Sequence, residues 1–100
     1  MKIAISAEND SEESIVSELS GRAPFYLIFE DGKLIKKLKN PFRVGGGGAG
    51  FSVAQMLADE SVNLVISGKF GNNMISALEE KNIKHKEVSG IKIKEALEDA

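Results

Sequence analysis

Apolar and polar residues alternate along Lys2–Ser6, with Ile3 and Ile5 on one side, and this two-residue period predicts a short strand. Ala7–Glu13 is polar and acidic (Glu8, Asp10, Glu12, Glu13) and reads as an exposed loop. Pro24–Glu30 concentrates aromatic and β-branched residues, which predicts a second strand. Asp31-Gly32 then supplies a two-residue turn of the kind that needs positive φ, and Lys33–Lys39 runs back as a third strand. Lys33, Lys36, Lys37 and Lys39 suit an edge strand, where charge prevents pairing with another molecule.

Asn40–Gly48 is a loop with Pro41 and four consecutive glycines. Val53, Met56 and Leu57, with Ala49 and Ala54 beside them, share one helical face up to about Glu60. Val62–Ser67 is nearly continuously apolar, as a central parallel strand covered on both faces should be. Gly68–Gly71 forms the next turn, and Asn72 or Asn73 is placed to cap a helix whose inward residues are Met74, Ile75 and Leu78. Ile83–Val88 reads as a last strand, and Ser89-Gly90 leads into a helix carrying Ile93, Ala96, Leu97 and Ala100 on one face. The order β-β-β-α-β-α-β-α implies an α/β domain with a mixed five-stranded sheet, because parallel crossovers must lay helices on its faces.

Composition narrows the chemistry. One hundred residues suit a single domain spanning 1–100. Thirteen basic against fifteen acidic residues leave a net charge of −2, which gives nucleic acid no overall electrostatic reason to bind. With no cysteine there is no disulfide, thiolate nucleophile or Cys-ligated metal centre. The one histidine, His85, stands between lysines and cannot form a two-residue ligand set, so a structural or solvent role is expected and no metal ligand is assigned. No apolar run nears the roughly 18–20 residues that span a bilayer, and Met1–Ser6 is too short for a signal peptide. A cytoplasmic protein with no membrane partner is expected.

Gly45, Gly47 and Gly50 fit the dinucleotide pattern G-x-G-x-x-G, but a lysine-studded hairpin arm precedes them where a buried parallel strand is required. Gly45 and Gly50 also fit a phosphate-binding loop, with Phe51 where the lysine belongs and no aspartate ending Val62–Ser67. A glycine loop opening a helix still offers backbone N–H groups to an anion, although the same loop serves equally as a purely structural bend. Gly68-Lys69-Phe70-Gly71-Asn72-Asn73 is a second strand-to-helix turn, adding a lysine and two amides, or merely closing the turn. Two such turns at the carboxyl ends of parallel strands would form one pocket, with the end of Lys2–Ser6 close by. Arg22 is a candidate bidentate anion ligand, or a surface partner of Glu18. No nucleophile–base pair, carboxylate dyad or metal triad appears, so no enzymatic activity is expected.

The segment Ser17-Glu18, then Gly21-Arg22-Ala23-Pro24-Phe25-Tyr26, resembles the signature of the dinitrogenase iron–molybdenum cofactor biosynthesis family. The opening Met1–Ile5, the Gly46-Gly47-Gly48-Ala49-Gly50 turn, Ile66-Ser67-Gly68 with Gly71-Asn72, and Val88-Ser89-Gly90 follow in the same order along the chain. The resemblance implies a ribonuclease H-like fold. It also implies a non-catalytic carrier of iron–molybdenum cofactor or an iron–sulfur precursor, working with metallocluster assembly proteins. Members commonly carry His-Phe where this chain has Leu19-Ser20, so the usual histidine ligand is missing. The expected site then comprises Glu18, Gly21, Arg22, Ala23, Gly46, Gly47, Gly48, Gly50, Gly68, Lys69, Gly71, Asn72 and Asn73. An anion-binding or phosphate-binding module at the same turns, and an interaction module without ligand using the aromatic face of Pro24–Phe29, are the alternatives. A ribonuclease H-like nuclease is excluded, because neither Lys2–Ser6 nor Val62–Ser67 carries an acid for the two-metal site.

Overall fold

The computed structural model describes residues 1–43 and 49–100. Along the chain lie β1 (Lys2–Ala7), β2 (Phe25–Glu30), β3 (Lys33–Lys39), α1 (Ala49–Asp59), β4 (Leu64–Ser67), α2 (Asn72–Glu80), β5 (Lys84–Glu87) and α3 (Ile93–Glu98). This is the expected element order. The strands form one sheet in the spatial order β3-β2-β1-β4-β5. β1 pairs antiparallel with β2 and β2 with β3, whereas β1–β4 and β4–β5 are parallel. The mixed α/β sheet thus has β1 at its centre, and the carboxyl ends of β1 and β4 emerge at the same rim.

The hairpin turn has Asp31 at φ 51° and Gly32 at φ 79°, the left-handed pair that a two-residue connection demands. β3 is an edge, as its lysines suggest, and a register shift opposite Ile28 and Phe29 leaves Ile35 unpaired. β5, the other edge, is exposed along its whole length. It ends short of Ile83 and Val88. β4 likewise begins at Leu64 rather than Val62: Ser61 adopts φ 61°, and the Asn63 side chain accepts the Lys2 N–H at 2.7 Å.

Alternation divides the core between the two sheet faces. Ala4, Tyr26, Ile28 and Val65 point to the side covered by α1 and α2, where Val53, Leu57, Met74 and Leu78 meet them. Ile5, Leu27, Phe29 and Ile66 point the other way, toward Val16, Ile93 and Ala96. The aromatic run of β2 is therefore mostly core: Tyr26 and Phe29 are fully buried. α3 ends at Glu98, so Ala100 lies beyond the helix. Among the described residues no helix is long and apolar enough to cross a membrane.

Tyr26 is buried among these residues, and its hydroxyl donates to the Ser20 carbonyl. Burial pushes its phenol far above the ordinary value of about 10. Above pH ~10 the unfolded chain releases this proton while the folded chain keeps it, so the unfolded state binds fewer protons and stability falls as pH rises. The slope due to Tyr26 is about −1.4 kcal/mol per pH unit, and below pH ~9 it vanishes. Urea unfolding at pH 8, 10 and 11 should show Tyr26→Phe less stable at pH 8 by roughly 1–3 kcal/mol, since the Ser20 carbonyl loses its donor. The gap should narrow by about 1 kcal/mol between pH 10 and 11.

Candidate functional site

The site forms where the segment after β1 crosses the carboxyl ends of β1 and β4. Ser6 and Ser67, the facing residues near those ends, share a buried hydroxyl hydrogen bond of 2.6 Å. The Ser17 N–H donates to the Ser6 carbonyl at 3.2 Å, which brings the segment over β1. It then runs beside the turn after β4: the N–H groups of Gly68 and Lys69 donate to the carbonyls of Ser17 (2.8 Å) and Glu18 (2.6 Å). Ser20 returns two bonds to the Lys69 carbonyl, from its N–H at 3.1 Å and its hydroxyl at 3.2 Å. So close is this approach that a Cβ on Gly68 would lie 2.3 Å from the Glu18 oxygen.

Beyond Ser20 the chain arches through Gly21 and Arg22 to Ala23. Between this arch, the start of α1 and the start of α2 lies a cavity of about 610 Å³. Gly21, Arg22, Gly50, Lys69, Gly71, Asn72 and Asn73 line it. Leu19, Ser20, Ala49 and Met74 complete the wall. α1 and α2 meet closely here, since a Cβ on Gly50 would stand 3.0 Å from Met74 N. Of the residues expected from sequence, Glu18 lines two neighbouring grooves instead, Gly68 one of them, and Ala23 is wholly buried. Gly46, Gly47 and Gly48 lie outside the described residues.

Two local expectations are corrected. Asn72 and Asn73 do not cap α2: both belong to its first turn, and the N-cap is Gly71, which has no side chain with which to bond to the first-turn N–H groups. Extended backbone at Gly71 (φ −74°, ψ 156°) lets a glycine start the helix without help. Among the described residues nothing accepts from the first-turn N–H groups of Asn72, Asn73 and Met74, which stand at the positive end of the helix dipole beside the cavity. Nor does Arg22 pair with Glu18. Its Nη1 donates to the Arg43 carbonyl at 3.3 Å, and among the described residues the ion pairs are Lys36–Glu60 and Lys94–Glu13, neither of which lines the cavity. Glu18 lines a neighbouring groove together with Glu8 and Arg43, and Arg22 borders that groove as well as the cavity.

Chemically the cavity is a set of donors: a guanidinium, an ammonium, two carboxamides and helix-end amides, beside the apolar Leu19, Ala49 and Met74. Among the described residues no three His, Cys, Asp or Glu side chains converge to hold a metal ion. A metal-containing group would not be ligated through its metal by this set; the set suits the outer atoms of an anion. His85 is far from this chemistry in kind, its ring tilted against Phe70 with centroids 4.9 Å apart. Asn40 and Tyr26, which hold the arch, carry no local sequence signal for that role.

The structure of the apo form of the orange protein from Desulfovibrio gigas superposes with a TM-score of 0.91 at 24% identity, covering 97% of this chain and 83% of that one. A Thermotoga protein provisionally named NifB gives 0.83 at 24% identity, over 97% and 84% of the two chains. A Methanocaldococcus jannaschii protein provisionally named a dinitrogenase gives 0.67 at 19% identity, over 97% and 84%. At these identities the likeness carries the fold. No curated protein matches the sequence at a significant level. A family model described as dinitrogenase iron-molybdenum cofactor matches residues 1–100. With the whole length matched and the fold shared, the chain belongs to the dinitrogenase iron-molybdenum cofactor family.

Proposed function

We propose that residues 1–100 form one carrier domain that holds iron–molybdenum cofactor, or an iron–sulfur precursor of it, without catalysing a reaction. The observation that carries this reading is the convergence of Arg22, Lys69 and the uncapped start of α2 on one cavity. Metalloclusters of this kind are anions. Hydrogen-bond donors and positive charge, set beside an apolar wall, grip such a cargo by its outer atoms and release it without breaking a metal–ligand bond. The family membership supports the class of cargo, and the donor set supports the manner of holding it. Metallocluster assembly proteins are the partners this role requires.

Anaerobic mixing with isolated iron–molybdenum cofactor, followed by size exclusion and absorbance, tests the proposal. Coloured protein near one cofactor per chain is expected. Protein that elutes colourless at every ratio refutes it.

The donor set also favours a second reading, a module for small anions such as phosphate or a homocitrate-like acid. A thermal-shift screen separates the two: stabilisation by these anions, lost in Arg22→Ala and Lys69→Ala, with no cofactor uptake, selects the second.

A further inference from the structure

Asn40 follows β3 directly and is 1% exposed. Its carboxamide nitrogen donates to the carbonyls of Ala23 at 2.8 Å and Gly21 at 3.3 Å. Its Oδ1 accepts the Phe42 N–H at 2.9 Å, and its own N–H donates to the Pro24 carbonyl at 2.9 Å. The carbonyls on either side of Arg22 are thus held by a single side chain. That side chain also fixes the chain leading to Arg43, whose carbonyl receives the Arg22 guanidinium.

The other foot of the arch is pinned separately. Ser20 bonds twice to the Lys69 carbonyl, and Tyr26 donates to the Ser20 carbonyl. Between these anchors Arg22 is exposed, on a backbone tied at both feet. A primary amide is the group this junction requires, since it offers two donors and an acceptor in one plane. Aspartate offers no donor, and serine only one.

We infer that Asn40 is the positioning residue of the cavity: by clamping Gly21 and Ala23 it holds the Arg22 arch at a fixed distance from the start of α2, so that an anion meets both walls at once. This rests on the anion-carrier reading of the cavity. Rigid donors bind more tightly than mobile ones because less freedom is lost on contact. Asn40 therefore acts through Arg22 and touches no ligand itself.

The test compares the parent chain with Asn40→Ser, which keeps the acceptor and one donor, and with Val62→Ala. Val62 is buried just before β4, at the end of that strand away from the cavity, so its truncation lowers stability without touching the arch. Backbone ¹⁵N relaxation without ligand should show the order parameters of Gly21–Ala23 falling from about 0.85 to below about 0.6 in Asn40→Ser alone. Isolated iron–molybdenum cofactor should bind Asn40→Ser about tenfold more weakly, and Val62→Ala as tightly as the parent. Unchanged order parameters, a loosened arch with unchanged affinity, or equal weakening by Val62→Ala each overturn the inference. Should Asn40→Ser fail to fold, the Asn40 side-chain protons of the parent decide: slow exchange with solvent supports the clamp, and fast exchange refutes it. If the parent takes up no cofactor, the carrier reading fails, and the order parameters alone decide whether Asn40 holds the arch.

Discussion

Gly68→Ala is expected to lower the midpoint of thermal unfolding by roughly 12–24 °C. The added Cβ would lie 2.3 Å from the Glu18 oxygen, and 2.5 Å from both the Glu18 carbonyl carbon and the Ser17 oxygen. All three are backbone atoms, so no side chain can swing aside. Relief comes only by parting the two segments, which breaks the bonds from Gly68 and Lys69 to the Ser17 and Glu18 carbonyls. Overpacking typically costs about 1–3 kcal/mol, and backbone contacts place this case at or above the upper end. For a domain of this size each kcal/mol shifts the midpoint by about 4–8 °C, which sets the range. Gly71→Ala is the matched control. A Cβ there meets nothing within 4 Å among the described residues and the backbone is extended, so only the poorer N-cap character of alanine counts, and a change of about 1 kcal/mol or less is expected. Circular dichroism melts of the two variants check both statements.

Arg22→Ala combined with Lys69→Ala should leave the fold intact while weakening capture of isolated iron–molybdenum cofactor by on the order of 100-fold. Both side chains are exposed, and Arg22 makes a single 3.3 Å bond to a carbonyl, so stability should move by no more than about 0.5 kcal/mol. On the carrier reading each would donate a charge-assisted hydrogen bond to an anion in the cavity, worth roughly 1.5–3 kcal/mol before solvent screening, and screening brings the pair to the lower end. The parent should also lose affinity as salt rises, whereas the double variant should be nearly flat. Arg22→Lys should recover only part of the loss, since an ammonium keeps the charge without the two-pronged guanidinium. Titrations at low and high salt, with melts alongside, measure all of this.

The parts of the fold that were legible are those written in local pattern. Asp31-Gly32 between two strand-like runs announces its hairpin, and the apolar 62–67 run announces a strand covered on both faces. Even there the ends drift: Val62 and Ile83 are buried by packing rather than by strand pairing, so apolar character outruns the strand at both places. The cavity was half legible. Lys69, Gly71, Asn72 and Asn73 stand where the parallel strand β4 gives way to α2, and Arg22 stands just before β2, which runs antiparallel to β1 and so begins at the same rim, a relation that strand order predicts. What positions them was not legible. Tyr26 to Ser20, Asn40 to Gly21 and Ala23, and Ser6 to Ser67 are hydrogen bonds between residues 6 to 61 positions apart, and each looks like an ordinary polar or aromatic residue in its own neighbourhood. Ala23 and Gly68 belong to the family-like motifs yet do not line the cavity: Ala23 is packed into the core, and Gly68 sits where two backbones meet too closely for a side chain.

The central claim is that an anionic cargo seats between the Arg22 arch and the start of α2, and amide chemical-shift mapping addresses it directly. Isolated iron–molybdenum cofactor added anaerobically to the ¹⁵N-labelled chain should shift or broaden Gly21, Arg22, Lys69 and Asn72–Met74, leaving β3 and β5 unmoved. Perturbations centred on His85 or the lysine edge of β3, with those amides silent, would contradict the account.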